Sequence, residues 1–153
     1  MASVEARLES LGLTLPDAPA PAANYVPFVR VGNLLHVSGQ VPIRDGEFVV
    51  GKLGDTFSVD DGAAAARLCA LSLLAQVKAA CDGDLERLVR AVKLVGFVNS
   101  TADFGEQPKV INGASDTMVE ILGDKGRHAR SAVSAASLPF GVAVEVEGIF
   151  EIA

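Results

Sequence analysis

The sequence predicts an α+β fold, a single domain in which a mixed β-sheet carries two long helices on one face. Segments 58–80 and 108–122 repeat apolar residues at helical spacing. Segment 89–99 is apolar almost throughout, which is typical of a strand covered on both faces. Segments 25–41 and 129–152 contain alternating runs that indicate further strands. The length of 153 residues suits one domain with a sizeable core.

The first 23 residues are predicted to precede the main domain, which occupies 24–153. Apolar residues recur at helical spacing over 2–11, and Gly12 ends this short amphipathic helix. The Pro- and Ala-rich run 16–21 is predicted to be an extended linker, because each proline disfavours helix at the residue before it.

Turn residues and helix-capping residues divide the rest of the chain. Gly32-Asn33 is predicted to be a hairpin turn between strands at 25–31 and 34–41, and residues 48–50 to add a short third strand. Two helix starts are marked, by a capping-box pair (Ser58 and Asp61) and by Pro108. The segment 129–152 is predicted to be a closing hairpin that turns at Leu138-Pro139-Phe140-Gly141.

Composition excludes several classes of protein. With 50% hydrophobic residues and 21% charged residues, the chain is globular. The net charge is −6 and Lys and Arg form no stripe, so we expect no nucleic-acid partner. The N-terminus does not resemble a signal peptide, and we expect no stretch long and apolar enough to span a bilayer. We therefore expect a cytoplasmic protein without membrane contact.

The cysteines predict neither a disulfide nor a metal site. Cys69 and Cys81 lie in one predicted helix, roughly 18 Å apart at about 1.5 Å per residue, which is too far for a disulfide. Both are interpreted as small buried apolar residues. Because the two histidines form no cluster with cysteine, we expect no metal and no other cofactor.

Arg130 is the principal candidate functional residue. Its neighbours are small or apolar, and a buried guanidinium requires a partner because an unpaired buried charge costs several kcal/mol. The planar guanidinium can bind a carboxylate through two parallel hydrogen bonds. Two interpretations stay open: a structural salt bridge to an acid such as Glu145 or Glu147, and a ligand site.

Three blocks of sequence carry a resemblance to a known family. In chain order, the first block is Tyr25, Gly32-Asn33 and Ser38-Gly39-Gln40, and the second is KVINGAS, which contains Asn112. The last block is Arg130-Ser131, Leu138-Pro139 and Val144-Glu145-Val146-Glu147. Together they resemble the RidA family of enamine and imine deaminases, also called YjgF-like and, in older naming, L-PSP endoribonucleases. The chain departs from the family at Ala132, where many members have Cys, and at Val26-Pro27.

The resemblance implies a YjgF-like, chorismate mutase-like fold that assembles as a homotrimer around a central barrel. An oligomer is also expected because the sheet face away from the helices is apolar and needs cover. By resemblance, ligand clefts lie between subunits, where Arg130 anchors the carboxylate of a 2-imino or enamino acid and Glu145, rather than Glu147, positions water. The further substrate-binding residues are Tyr25, Gly39, Asn112 and Ala132.

Three functions are carried forward. The first is hydrolysis of small 2-imino or enamino acids to keto acid and ammonia. The second is non-enzymatic binding of small carboxylates at the same arginine, which the absent cysteine favours. The third is the ribonuclease of the older family name, which the negative net charge disfavours. No nucleophile is predicted among the polar candidates: two histidines without acidic or nucleophilic neighbours and two serines outside a nucleophile elbow (His36, His128, Ser38, Ser131).

Overall fold

A computed structural model describes residues 2–153, which form the predicted single α+β domain with a mixed sheet. The elements in chain order are α1 Val4–Ser10, β1 Phe28–Val31, β2 Leu34–Gln40, β3 Ile43–Arg44, β4 Glu47–Phe48, α2 Val59–Ala80, β5 Leu88–Asn99, α3 Gln107–Leu122, β6 Ala129–Ala135 and β7 Val144–Ile152. The Gly32-Asn33 turn between β1 and β2 is as predicted, whereas the expected third strand is only part of a small β3–β4 ribbon.

Five strands form the main sheet in the order β1-β2-β7-β5-β6. β6 runs parallel to β5, and the other neighbouring pairs are antiparallel. The parallel pair needs a crossover, and α3 supplies it. β7 lies in the middle of the sheet, and β6 is an edge strand.

The prediction that 129–152 form a hairpin is wrong. β5 lies between β6 and β7, so these two strands do not pair with each other. Pro139–Gly141 is a 3-10 turn on the path between them. A turn at Leu138-Pro139-Phe140-Gly141 was correctly predicted, but a turn does not determine which strand the chain pairs with after it.

α2 and α3 pack together on one face of the sheet, here called the helix face. Ser58 caps α2 by accepting a hydrogen bond from the Asp61 backbone N–H at 3.1 Å, as the capping box predicts. The two helices cross closely at Gly113, where an added Cβ would lie only 1.9 Å from the Ala63 carbonyl oxygen. The crossing therefore requires glycine at this position.

The expectation that no segment is long and apolar enough for a membrane span is wrong for α2. By length and composition alone the 22-residue helix qualifies. However, 56% of its most apolar 18-residue window is buried inside the domain, where the helix contacts β2, β7 and α3. Its hydrophobicity is that of a core helix. Cys69 on α2 and Cys81 at its end are free and buried, as predicted, and burial raises the pKa of both thiols.

The opposite side of the sheet, here called the open face, is not covered within one subunit. β5 buries Leu94 on the helix face, but Lys93 is exposed and Val95 half-buried on the open face, so the prediction of a strand covered on both sides is wrong for the single chain. Four apolar side chains of the open face are 40–64% exposed: Val29, Val31, Leu34 and Val133.

The N-terminal segment packs onto the same core as the rest of the domain. Val4 and Leu8 of α1 are buried, whereas Leu11 lies beyond the helix and is exposed. The linker that follows has no regular secondary structure, as predicted for 16–21, and the strand predicted from residue 25 begins only at Phe28. It is tied to α2 by a hydrogen bond from the Gln76 amide to the Pro19 carbonyl oxygen at 2.7 Å.

Candidate functional site

The predicted site residues form two groups on opposite faces of the sheet. On β5, Leu94 is the partner of Arg130 and Phe97 is the partner of Glu145. Positions an odd number apart on a strand point to opposite faces, so Arg130 lies on the helix face and Glu145 on the open face. Their Cα atoms are separated by two inter-strand spacings across β5 and by three residues along it, which amounts to roughly 14 Å.

Arg130 contacts α3 through neutral acceptors. Its Nη1 donates to Asn112 Oδ1 at 2.8 Å and to Ser115 Oγ at 3.2 Å, and its Nη2 donates to the Pro108 carbonyl at 3.4 Å. Within residues 2–153 no carboxylate lies within 4.0 Å of it, so the salt-bridge interpretation is wrong for the single subunit. The side chain is also only half-buried, at the sheet edge. Nε and one Nη2 hydrogen have no acceptor in the described chain, which leaves donors for a ligand carboxylate.

Ser115 and His128 lie beside Arg130 and Asn112, and these four residues are here called the arginine group. Ser115 was not predicted from the sequence, and His128 was predicted only as a residue without a catalytic role. His128 Nε2 lies 2.9 Å from Ser115 Oγ, and Nδ1 lies 2.5 Å from the Gly126 carbonyl oxygen. A carbonyl only accepts, so Nδ1 carries the proton and Nε2 accepts from the Ser115 hydroxyl, whose oxygen accepts from Arg130. Burial lowers the pKa of His128, and the Arg130 charge adds to this. The i, i+2 spacing of His128 and Arg130 was the available signal.

Three other predicted residues, Glu145, Tyr25 and Gly39, line one pocket of about 670 Å³ and are here called the glutamate group. Glu147 does not line this pocket. An added Cβ on Gly39 would lie 2.4 Å from Glu145 Oε2, so glycine is what lets the carboxylate rest against the β2 backbone. Burial, and then the charge of Glu147, raises the pKa of Glu145. The protonated form therefore persists to higher pH than in a solvated glutamate.

The predicted residues Tyr25 and Ala132 do not line the same pocket. The Tyr25 oxygen accepts a hydrogen bond from the Ala22 backbone N–H at 3.2 Å, so its own O–H can donate to a ligand. Ala132 is two residues after Arg130 on β6, half-buried on the helix face, and does not line the Glu145 pocket. Across residues 2–153 no cluster of three or more His, Cys, Asp or Glu side chains is arranged to hold a metal ion.

We expect Glu145→Gln to raise thermal stability at neutral pH and to leave it unchanged near pH 4. The pKa of Glu145 is raised by folding, so its contribution is fully present below the unfolded pKa of about 4.3 and is lost as the pH rises through the folded pKa. Thermal unfolding at several pH values measures the difference. Glu151→Gln, on the same strand, controls for the general loss of negative charge. A stability difference independent of pH would contradict the expectation.

Comparison with known proteins decides the family. A family model described as "YjgF/chorismate mutase-like, putative endoribonuclease" matches residues 5–150. The chain belongs to this family. The YjgF resemblance drawn from the three sequence blocks is thereby confirmed, including the fold that it implied.

Two curated relatives are similar to this chain over most of its length. It is 52% identical to protein TCP17 of Trypanosoma cruzi, over 97% of this chain and 94% of that protein. It is 29% identical to the 2-iminobutanoate/2-iminopropanoate deaminase of Dermatophagoides farinae, over 92% of this chain and 94% of that protein. One YjgF relative is therefore named for an imine deaminase activity.

Two crystal structures illustrate the structural similarity. The protein Atu1372 of Agrobacterium tumefaciens, whose function is unknown, superimposes with a TM-score of 0.91 at 52% identity, covering 98% of this chain and 92% of that one. TdcF of E. coli with bound serine superimposes with a TM-score of 0.63 at 25% identity, covering 89% of this chain and 94% of that one.

Proposed function

We propose that this protein hydrolyses small 2-imino or enamino acids to keto acid and ammonia, at a site that two subunits of a homotrimer share. The observation that carries the proposal is the separation of the site. Arg130 offers free donors at one edge of the subunit, and Glu145 lies in a pocket on the opposite sheet face. Each group has half of what the reaction needs.

The arginine group supplies the anchor for the substrate carboxylate. Asn112 and Ser115 hold one end of the guanidinium, which fixes its plane. The donors left over match a carboxylate. A carboxylate would also neutralise the charge of Arg130, which no residue within 2–153 of the same chain pairs with. The serine bound in the TdcF structure carries such an α-carboxylate. The deaminase among the relatives is named for two acids of the same class.

The glutamate group supplies proton transfer. As water adds to the carbon of the C=N bond, Glu145 accepts a proton from it. Glu145 then returns the proton to the nitrogen, which gives a carbinolamine. In a second transfer Glu145 takes the carbinol O–H proton and delivers it to the amine as the C–N bond breaks, so that ammonia leaves and the carbinol oxygen becomes the keto group. Its raised pKa suits both roles better than that of an exposed glutamate, because a general acid–base works best near the ambient pH.

The exposed apolar residues of the open face favour assembly into an oligomer. Its exposed valine and leucine side chains form an apolar surface that a monomer would leave in water. Packing three open faces around a common axis covers it and brings the edge strand β6 of one subunit toward a neighbour. This arrangement lets Arg130 of one subunit face the Glu145 pocket of the next.

The other two candidate functions are outcomes of the test. A non-enzymatic binder would use the same arginine to hold carboxylates but would release no keto acid. The ribonuclease in the family description has little electrostatic support here, since the net charge of −6 offers phosphate no basic surface.

The decisive experiment follows keto-acid release from freshly generated 2-iminopropanoate and uses subunit mixing. Arg130→Ala and Glu145→Gln proteins should each be inactive. In randomly mixed trimers, roughly one quarter of the interfaces would combine an intact Arg130 with an intact Glu145, so about that share of activity should return. Light scattering should give a trimer for each protein.

Two outcomes would contradict the proposal. Wild-type protein that binds carboxylates but does not accelerate keto-acid release would identify a binding protein. Mixed trimers that form but recover no activity would show that the site is not shared between subunits.

A further inference from the structure

The Glu145 pocket has an apolar wall that imine hydrolysis by itself does not require. Residues 16–25, here called the strap, run past the pocket and contribute Pro19, Pro21 and Tyr25 to its lining. Phe48 and Phe140 stand on another side. Of the described residues that line the pocket, Glu145 is the only one that carries a charge at neutral pH. The pocket is thus polar at the reacting end and apolar elsewhere.

The strap is held in place by a buried side chain. Gln76 of α2 is 1% exposed, and its amide donates to the Pro19 carbonyl at 2.7 Å and lies 3.5 Å from Gln40 Oε1. A buried amide is costly to leave without a partner, so this contact ties the strap to the core. The bond from the Ala22 N–H to the Tyr25 oxygen lies within the strap and joins residues at its other end.

A stacked aromatic pair, Phe48 and Phe140, forms another part of the pocket lining. The rings of Phe48 and Phe140 have centroids 4.8 Å apart and planes 14° apart. They remain 42% and 59% exposed. Phe140 has φ 61°, a left-handed backbone conformation that costs free energy for a bulky residue. Backbone strain of this kind clusters at active sites and ligand-binding sites.

We infer that the strap and the Phe48–Phe140 pair form a side-chain subsite that selects imino acids with a large apolar side chain. The inference rests on the proposed function, since it places the reacting carbon at Glu145. The volume of about 670 Å³ lies within the range of pockets for whole small-molecule ligands. A substrate with a methyl side chain would leave most of it empty and lose dispersion contacts with the walls.

Two carboxylates test the subsite without any reaction. Propanoate and 3-phenylpropanoate share the carboxylate and differ in the apolar group, and calorimetry gives their dissociation constants. The wild type should bind 3-phenylpropanoate more tightly. Phe140→Ala, at an exposed position, should weaken 3-phenylpropanoate about tenfold and leave propanoate unchanged, because an aromatic wall contributes on this order.

A second variant tests the strap. Gln76→Met keeps the volume but cannot donate to the Pro19 carbonyl, so 3-phenylpropanoate should again weaken while propanoate does not. Tyr25 is the only tyrosine and the chain has no tryptophan, so intrinsic fluorescence reports on the strap alone. Its anisotropy should fall in Gln76→Met. The anisotropy should not change in Gln107→Met. This control also removes amide hydrogen bonds, but they are bonds to the Phe104 carbonyl and the Ser134 hydroxyl and not to the strap.

The subsite is overturned if the wild type binds 3-phenylpropanoate no more tightly than propanoate, or not at all. It is also overturned if Phe140→Ala leaves the preference intact. These results are independent of the reaction. A Phe140-dependent preference in a protein that releases no keto acid would keep the subsite and reject the deaminase, and release of keto acid without the preference would do the reverse.

Discussion

Arg130→Lys is expected to lose small-carboxylate binding and imine hydrolysis while the protein stays folded and keeps the oligomeric state of the wild type. A lysine keeps the charge but has no planar fork, so the two-point contact with the substrate carboxylate is lost. Losing such a contact costs on the order of 2 kcal/mol or more, which corresponds to about a 30-fold weaker affinity. Calorimetry with propanoate and keto-acid release from 2-iminopropanoate measure the two losses.

Arg127→Lys is the matched control for this substitution. Arg127 is three residues away and exposed. Among the described residues its side chain makes only an ion pair to Asp124 at 3.5 Å, so its replacement should change neither quantity. Thermal unfolding separates the alternatives for Arg130. If Arg130→Lys unfolds the protein and the wild type never bound propanoate, Arg130 serves the packing of β6 on α3 and the proposed site is incorrect.

Gly113→Ala is expected to destabilise the protein by about 2 kcal/mol, although Gly→Ala within a helix ordinarily stabilises by about 1 kcal/mol. The added Cβ would lie 1.9 Å from the Ala63 carbonyl oxygen and 2.6 Å from its carbon. Both are backbone atoms, so no side-chain rotation relieves the clash and the helices must move apart. For a chain of this length the melting temperature should fall by about 5 °C.

Gly105→Ala is the comparison for this substitution, since a Cβ there meets nothing within 4 Å. It should leave the melting temperature nearly unchanged. Because Gly113 is flanked by Asn112 and lies near Ser115, a displaced α3 should also weaken the hold on Arg130 and lower carboxylate affinity. A stabilised Gly113→Ala protein would show that the α2–α3 crossing tolerates separation without cost.

The helices and most strands were predictable because local signals determine them. Ser58 caps α2 through its own side chain, and Gly32 provides the positive φ that the β1–β2 turn needs. The pairing of β6 was not predictable in this way. Arg130 and Val133 have the same alternation in a hairpin as in a parallel edge strand, and the difference arises only when α3 carries the chain across the sheet.

The candidate site was predictable in part. The family resemblance identified Arg130 and Glu145, but their positions on opposite sheet faces follow from strand register, which no local pattern shows. Ser115 was missed because it meets Arg130 only when α3 packs on β6. The strap contact was missed because Gln76, inside an apolar helix, has no sequence feature that connects it with Pro19.

The central position of β7 affects how the chain can fold during synthesis. β7 is the last strand to leave the ribosome, yet it lies between β2 and β5 and pairs with both. Until it emerges, the β1–β2 hairpin and the β5–α3–β6 unit have no shared strand, and both expose backbone hydrogen-bonding groups at the vacant position. The domain therefore completes its sheet only after β7 has been translated, and the nascent protein exposes unpaired strand edges to other chains until then.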